Sequence, residues 1–399
     1  MGAFFSSNIV AIFLFFSLLP SEFGLLQGVE GLGINYGQVA NNLPSPDKVL
    51  TLLSSLKITK ARIYDTNPLV LTAFANSGID LVVTVPNEEL GVLTDKDQAL
   101  QWVTTNIKPY FPATNITGIA VGNEIFTTND SLLMSNLVPA MISIYNALAR
   151  CGLESYIHIS TANSLAVLAN SYPPSAGVFR SDLVGVMAPF LKFLAETRSP
   201  FWINAYPYFA YKGDPYRVPL DYVLFNPNSG MVDPYNKRHY DNMLYAQVDA
   251  VIVAITRMGY GDLEVSVSET GWPSKGDPDE LGATIQNAEV YNKNLLRRQL
   301  VNEATPLRPT QRLEVYIFAL FNENEKPGPT SERNYGLFKP DGTMAYNVGL
   351  NGRSSSSTAT ASVSLSSSAT KATSKEFGSL GYWIFVYLLT FQAFTRWAF

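Results

Sequence analysis

The chain has 399 residues, a net charge of −5 and a single cysteine. A slightly acidic chain of mixed charge lacks the basic surface that nucleic acid requires, so we expect no nucleic-acid partner. One cysteine cannot form an intrachain disulfide. Because Cys151 follows an apolar helical stretch, we expect it to be a buried, inert thiol.

Residues 1–30 are predicted to be a secretory signal peptide. Residues 4–19 are mostly Phe, Leu, Ile, Val and Ala, and small residues and turn formers follow them. This order is typical of a signal that is removed from the mature protein. No Lys or Arg precedes the apolar run, so a membrane anchor that is never cleaved is the alternative.

Two C-terminal segments predict attachment to a membrane. Residues 351–376 are rich in Ser, Thr and Ala, which predicts a disordered, O-glycosylated stalk that contains the attachment site. Residues 377–399 include an apolar run over 380–395, which is shorter than the roughly 20 residues of a spanning helix. The pattern indicates a GPI signal that is removed on attachment. The alternatives are a retained single-span helix and no membrane segment.

Residues 31–350 are predicted to form one α/β domain, a (β/α)8 TIM barrel. Strand-like and helix-like segments alternate throughout, which favours parallel strands joined by right-handed crossovers. The strand-like runs begin near residues 32, 60, 80, 116, 156, 201, 264 and 313. Eight such runs indicate a closed barrel. No Gly-x-Gly-x-x-Gly motif opens the first helix, so we expect no dinucleotide cofactor.

Helical spacing is predicted between these runs. The helices are expected over residues 49–56, 68–76, 95–107, 130–150, 189–197, 239–259 and 282–302. A long loop rich in Pro, Asn and Tyr is expected over 207–238, and the last strand over 313–324.

Aromatic, amide and acidic residues collect at the predicted C-terminal ends of the strands, where a barrel of this kind carries its site. The candidates for substrate binding are Tyr36, Asn123, Tyr206, Trp272, Glu323 and Lys326. Aromatic rings stack on sugar rings, and amides and carboxylates bind hydroxyl groups, so this rim favours a carbohydrate. His158 and His239 have no partner at metal-ligand spacing, so we expect no metal and no other cofactor.

Glu124 and Glu269 are the predicted catalytic pair. Each ends an apolar strand-like run, and cleavage of a glycosidic bond requires two carboxyl groups. The fourth and seventh strands lie nearly opposite each other in an eight-strand ring, so the two could approach the roughly 5–5.5 Å of a retaining glycosidase. We expect Glu124 to be the proton donor, with a pKa raised by burial and a like charge. Glu269 is then the nucleophile, with Tyr206 placed to bind it.

Simpler interpretations of several of these residues remain open. Tyr36 and Tyr206 could be packing residues of the rim. Glu323 and Lys326 could be a surface ion pair that contributes little energy. Asp65, at the end of the second strand, could be structural and paired with Arg62 or a neighbouring backbone amide.

Five motifs resemble those of plant β-1,3-glucanases, glycoside hydrolase family 17. They are Gly-Ile-Asn-Tyr-Gly at 33–37, Val-Gly-Asn-Glu at 121–124, Asn-Ala-Tyr-Pro-Tyr-Phe at 204–209, Ser-Glu-Thr-Gly-Trp-Pro at 268–273 and Phe-Asn-Glu-Asn-Glu-Lys at 321–326. The resemblance runs in order over residues 31–350. It implies a barrel with a long cleft and retaining hydrolysis of β-1,3-glucan. It also implies Glu124 as the acid, Glu269 as the nucleophile, and contributions from Glu323 and Lys326.

The resemblance also implies a place of action. Many anchored members carry a cysteine-rich carbohydrate-binding module after the barrel, which a chain with one cysteine is not expected to have. Membrane-tethered relatives act on callose in the cell wall and around plasmodesmata. We therefore expect a monomer that is secreted, held on the outer face of the cell membrane by a GPI anchor, and bound to β-1,3-glucan as its partner.

Two further predictions concern modification and alternative activities. Sequons at Asn115 and Asn129 predict N-glycosylation. A transglycosylase would pass the covalent intermediate to a sugar instead of water. A catalytically silent glucan-binding wall protein would be expected to lack one of the two carboxylates, whereas both Glu124 and Glu269 are present.

Overall fold

Short apolar runs pair side by side in parallel to form the centre of the molecule. The computed structural model describes residues 32–350. The strands are β1 (Leu32–Tyr36), β2 (Lys60–Ile63), β3 (Asp80–Val85), β4 (Ile116–Asn123), β5 (His158–Ser164), β6 (Phe201–Asn204), β7 (Val265–Thr270) and β8 (Val315–Ile317). Each strand pairs with its neighbour in the chain, and β8 pairs with β1, so the ring closes. The predicted (β/α)8 barrel is confirmed.

Helices surround the barrel. They are α1 (Pro46–Ser55), α2 (Pro68–Ala73), α3 (Lys96–Asn106), α4 (Ser131–Cys151), α5 (Val184–Thr197), α6 (Pro207–Gly213), α7 (Leu220–Val223), α8 (Met243–Arg257) and α9 (Ile285–Leu300). Local sequence explains several of their ends. Asp95 and Asp130 accept hydrogen bonds from backbone amides in the first turns of α3 and α4. Gly152 ends α4 with a left-handed backbone, at φ 70°.

Three predicted boundaries differ from the structure. Helix α5 begins at Val184, and Pro189 lies inside it instead of opening it. Helix α8 begins at Met243, because His239–Tyr240 pairs with Met231–Val232 as a short hairpin. The region predicted as the long loop over 207–238 contains α6 and α7.

Two further predictions were wrong in detail. Strand β8 ends at Ile317, and the segment after it stays between the same two neighbours: the Phe318 amide donates to the Thr270 carbonyl of β7, and the Leu320 amide donates to the Asn35 carbonyl of β1. Cys151, predicted to be buried, is only partly buried at the last residue of α4. The predicted signal peptide, stalk and anchor signal lie outside the described residues.

Two large aromatic side chains fill the barrel beneath the strand ends that carry the site. Trp202 on β6 and Tyr316 on β8 pack with Val82 and Ala120. Tyr316 lies directly against Gly33 of β1, where a β-carbon would stand 2.2 Å from its ring. A barrel interior packed in this way is solid, so polar chemistry is confined to its open end.

Candidate active site

Glu269 lies at the C-terminal end of β7 and is 7% exposed. Its Oε1 accepts hydrogen bonds from Arg62 Nη1 at 3.0 Å and from the Tyr64 hydroxyl at 2.7 Å. Its Oε2 accepts a hydrogen bond from the Tyr206 hydroxyl at 2.8 Å. Three donors from two strand ends, Arg62 and Tyr64 from β2 and Tyr206 from β6, therefore fix the orientation of this carboxylate.

Arg62 connects three strands beneath the site. Its side chain is 1% exposed, and Nη2 donates to Asn123 Oδ1 at 2.8 Å while Nη1 donates to Glu269. The guanidinium carbon lies 4.7 Å from the centroid of the Tyr64 ring, within the range of a cation–π contact. One buried arginine on β2 thereby positions an amide at the end of β4 and a carboxylate on β7.

Glu124, the residue after β4, has a different environment. Its Oε1 accepts a hydrogen bond from Asn204 Nδ2 at 3.0 Å, and Asn204 Oδ1 accepts one from the Ser268 hydroxyl at 2.7 Å. Burial, followed by the charge of Glu269, raises the pKa of Glu124 to about 7, although Asn204 and Arg62 act in the opposite direction. A carboxylic acid with this pKa keeps its proton near neutral pH and can act as a general acid.

Both glutamates lie where the strand pairing is irregular. The β4–β5 register shifts between Ala120 and Asn123, and Glu124 has a left-handed backbone at φ 55°. The β6–β7 register shifts between Val267 and Glu269. An extra residue in a strand redirects the side chains beside it. These shifts therefore help to set the directions in which the two carboxylates point.

The segment after β8 adds a lysine held near two acidic groups. Lys326 Nζ lies 3.9 Å from Glu323 Oε2, 3.6 Å from Glu332 Oε2 and 4.1 Å from the centroid of the Phe318 ring. Glu323 is 2% exposed, its Oε1 accepts a hydrogen bond from the Val39 amide, and burial raises its pKa. Phe318 also packs edge-on against Tyr206, which links this lysine to the surroundings of Glu269.

Comparison with known families decides the classification. The family model described as glycosyl hydrolases family 17 matches residues 32–350. The chain belongs to this family. The family name covers hydrolases of glycosidic bonds, and the two carboxylates at the barrel mouth agree with that chemistry.

Individual relatives are similar over most of their length. The chain is 52% identical over 347 residues to glucan endo-1,3-beta-glucosidase 11 of Arabidopsis thaliana, which covers 86% of this chain and 80% of the relative. It is 53% identical over 324 residues to glucan endo-1,3-beta-glucosidase 14 of the same plant, and this alignment covers 81% of this chain and 83% of the relative. The solved structure of CJP38, a beta-1,3-glucanase and allergen of Cryptomeria japonica pollen, has a TM-score of 0.77 at 44% identity, and covers 80% of this chain and 98% of that chain.

Four of the predicted site residues lie together at the mouth of the barrel. Asn123 is held by Arg62, and Glu124, Tyr206 and Glu269 share the hydrogen-bond network described above. The predicted hydrogen bond between Tyr206 and Glu269 is confirmed. The roles of these four residues in catalysis and binding stay predictions. Lys326 is partly exposed, and its contact with substrate also stays a prediction.

Trp272 and Tyr36, two of the predicted substrate-binding residues, are deeply buried. Trp272 is 0% exposed, and its indole nitrogen donates to the Gly282 carbonyl at 2.7 Å. Tyr36 is 2% exposed and packs edge-on against Phe321. Deep burial favours a packing role for both rings, and their contact with substrate stays a prediction.

Two acidic residues of the rim have structural contacts. Glu323 is 2% exposed, so its pairing with Lys326 is not a surface ion pair. A contribution of Glu323 to substrate binding stays a prediction. Asp65 accepts hydrogen bonds from the Gln38 side chain and the Asn67 amide, which confirms the structural interpretation with a backbone amide as its partner.

The sequence interpretation did not assign a role in the site to Arg62, Tyr64, Asn204 or Ser268. One available signal was Arg62 itself, a charged residue between the apolar positions Ala61 and Ile63 of a barrel strand. A charge at a buried position needs a partner. The sequence pattern does not identify which acid across the barrel supplies it.

The pKa of Glu124 predicts the alkaline limit of activity. A proton donor must be protonated to act, so with Glu124 in that predicted role kcat/KM for glycoside hydrolysis should fall about tenfold per pH unit above pH 7. Asn204→Ala removes a hydrogen bond that lowers the pKa of Glu124, so the fall in kcat/KM on the alkaline side of the pH profile should move to higher pH. A pH profile of kcat/KM for both proteins tests this, and an alkaline limb near pH 4.5 in the wild type would contradict the assignment.

Tyr64→Phe tests the hydrogen bonds on Glu269. The variant loses one donor to Oε1 while Arg62 remains, so kcat/KM should fall about 10- to 100-fold, the equivalent of one hydrogen bond to a charged group. Tyr156→Phe is the matched control, because Tyr156 is 60% exposed and precedes β5 at the opposite end of the barrel. Equal activity of the two variants would show that Tyr64 has no effect on the reaction.

Proposed function

We propose that the protein hydrolyses β-1,3-glucan within the chain and with retention of anomeric configuration. The observation that carries the proposal is the contrast between two carboxyl groups at one mouth. Glu269 is surrounded by three donors, whereas Glu124 has one amide donor and a pKa of about 7. Two carboxyl groups in such different environments are suited to the separate roles of acid and nucleophile. The names of the relatives support the 1,3-linkage.

The first step is transfer of the glucan to the enzyme. Glu124 donates its proton to the glycosidic oxygen while an oxygen of Glu269 attacks the anomeric carbon. The bond from that carbon to the leaving oxygen breaks, an ester to Glu269 forms, and one part of the glucan departs as an alcohol. Arg62 keeps the carboxylate oriented while its charge is lost.

The second step returns the enzyme to its starting state. Glu124, now ionised, accepts a proton from water, and the water oxygen attacks the anomeric carbon of the ester. Glu269 leaves as a carboxylate and recovers its three hydrogen-bond donors. Two inversions at the same carbon give overall retention.

Glutamine variants test both the activity and the assignment. Glu124→Gln and Glu269→Gln should each release reducing ends from linear β-1,3-glucan at least about 10³-fold more slowly than the wild type. Glu88→Gln is the control, since Glu88 is an exposed carboxylate just after β3 at the same end of the barrel. Proton NMR of the first product should show the β-anomer.

Other outcomes separate the alternatives. Oligosaccharides longer than the substrate would favour a transglycosylase. Binding of glucan without any release of reducing ends would favour a silent wall protein. Loss of activity in Glu88→Gln equal to that in the other variants would remove the evidence for the assigned pair.

We also propose that the protein acts as a monomer on the outer face of the cell membrane, held there by a GPI anchor. The Ser- and Thr-rich segment 351–376 and the apolar segment 377–399 support this location. Treating intact cells with a phosphatidylinositol-specific phospholipase C should release the protein into the medium. Retention on the treated cells, with release of a known GPI-anchored protein, would favour a spanning helix instead.

A further inference from the structure

The two glycosylation sequons lie at opposite ends of β4. Asn115 directly precedes the strand, whereas Asn129 follows it by six residues, and both are exposed. The eight residues of β4 span roughly 26 Å. Asn129 is therefore on the same end of the barrel as Glu124, and Asn115 is on the opposite end.

The two asparagine side chains also differ in their contacts. Asn115 Nδ2 donates to Asp80 Oδ1 at 2.7 Å, and the backbone carbonyl of Asn115 accepts a hydrogen bond from the Leu81 amide. The Asn129 side chain has no hydrogen-bond partner within residues 32–350. Its amide nitrogen is thus free of the fold and open to solvent.

A short turn keeps Asn129 close to the catalytic acid. The Thr127 amide donates to the Glu124 carbonyl at 3.1 Å, and the Thr128 amide donates to the Ile125 carbonyl at 3.2 Å. Three residues of such a helix advance about 6 Å, and the two residues that follow add at most about 7 Å. The α-carbons of Glu124 and Asn129 are therefore within about 13 Å of each other.

We propose that Asn129 carries an N-linked glycan that stands at the rim of the active site and restricts the entry of long glucan chains. The donor class is an oligosaccharide linked to a lipid diphosphate. The amide nitrogen of Asn129 loses a proton and bonds to the anomeric carbon of the first sugar, and the lipid diphosphate is the leaving group. Ser131 completes the sequon that the modifying enzyme recognises.

The consequence for access rests on the proposed function. An N-glycan is large, hydrated and polar, and its attachment point is close to the acid that must meet the scissile bond. A glucan that extends more than roughly 13 Å from Glu124 toward Asn129 passes the attachment point and meets this glycan, whereas an oligosaccharide too short to span that distance does not. A glycan on Asn115, at the opposite end of β4, would be too far away to have this effect.

Variants of Ser131 distinguish the effect of the glycan from the effect of the Asn129 side chain. Ser131→Ala destroys the sequon and leaves Asn129 in place, and Ser131→Thr keeps the sequon. Ser131 is the first residue of α4, whose capping oxygen comes from Asp130, so neither change removes the cap. Asn115→Gln removes the other glycan as a positional control. All proteins are made from the full chain in a eukaryotic host that glycosylates secreted proteins.

Peptide mass spectrometry should find a glycan on Asn129 in the wild type and in Ser131→Thr, but not in Ser131→Ala. Ser131→Ala should lower KM for long linear β-1,3-glucan about threefold, with kcat unchanged, because an obstacle to binding has been removed. Its kinetics on short laminari-oligosaccharides should equal those of the wild type. Ser131→Thr and Asn115→Gln should match the wild type on both substrates.

An unmodified Asn129 in the secreted wild type would overturn the proposal, as would equal KM values of Ser131→Ala and wild type on the long glucan. If the wild type is inactive on every β-1,3-glucan, the proposed function fails separately. Mass spectrometry then still shows whether Asn129 is glycosylated. Co-sedimentation of the same variants with insoluble glucan shows whether the glycan restricts the entry of long chains.

Discussion

The buried ion pair between Arg62 and Glu269 is the interaction on which the rest of the site depends. Moving two charges out of water costs several kcal/mol for each ion, and only close pairing with further hydrogen bonds offsets that cost. Tyr64 and Tyr206 supply those bonds to the carboxylate, and Asn123 supplies one to the guanidinium. The hydrogen bonds that stabilise these two charges therefore hold the ends of four strands, β2, β4, β6 and β7, in fixed positions. Substrate meets a site that is already organised.

The same ion pair separates the roles of two chemically identical side chains. Arg62 and both tyrosines direct their donors toward Glu269, while Glu124 receives only the amide of Asn204. Glu124 is consequently left to respond to burial and to the neighbouring negative charge, and both raise its pKa. The hydrogen bond between Ser268 and Asn204, together with that between Asn204 and Glu124, connects Glu124 to the strand that carries Glu269. Environment, more than residue type, sets the chemistry here.

Sequence patterns predicted the barrel and placed Glu124, Glu269, Asn123 and Tyr206 at one end of it. Strand periodicity sufficed because parallel strands all end at the same face. The same patterns did not predict the deep burial of Trp272 and Tyr36, since position at a strand end does not reveal how far a ring is covered by its neighbours. Partners across the ring depend on tertiary contacts and register shifts, and no local pattern encodes these contacts.

The left-handed backbone of Glu124 has a consequence for the evolution of stability in this barrel. That conformation is unfavourable for any residue with a β-carbon, and glycine adopts it freely. Burial of an ionisable group at the same position adds a second cost. Selection for thermal stability alone should therefore favour glycine at position 124, a change that removes the proposed proton donor. In the proposed mechanism, activity and stability compete at this single residue, as expected where function maintains an unfavourable local structure.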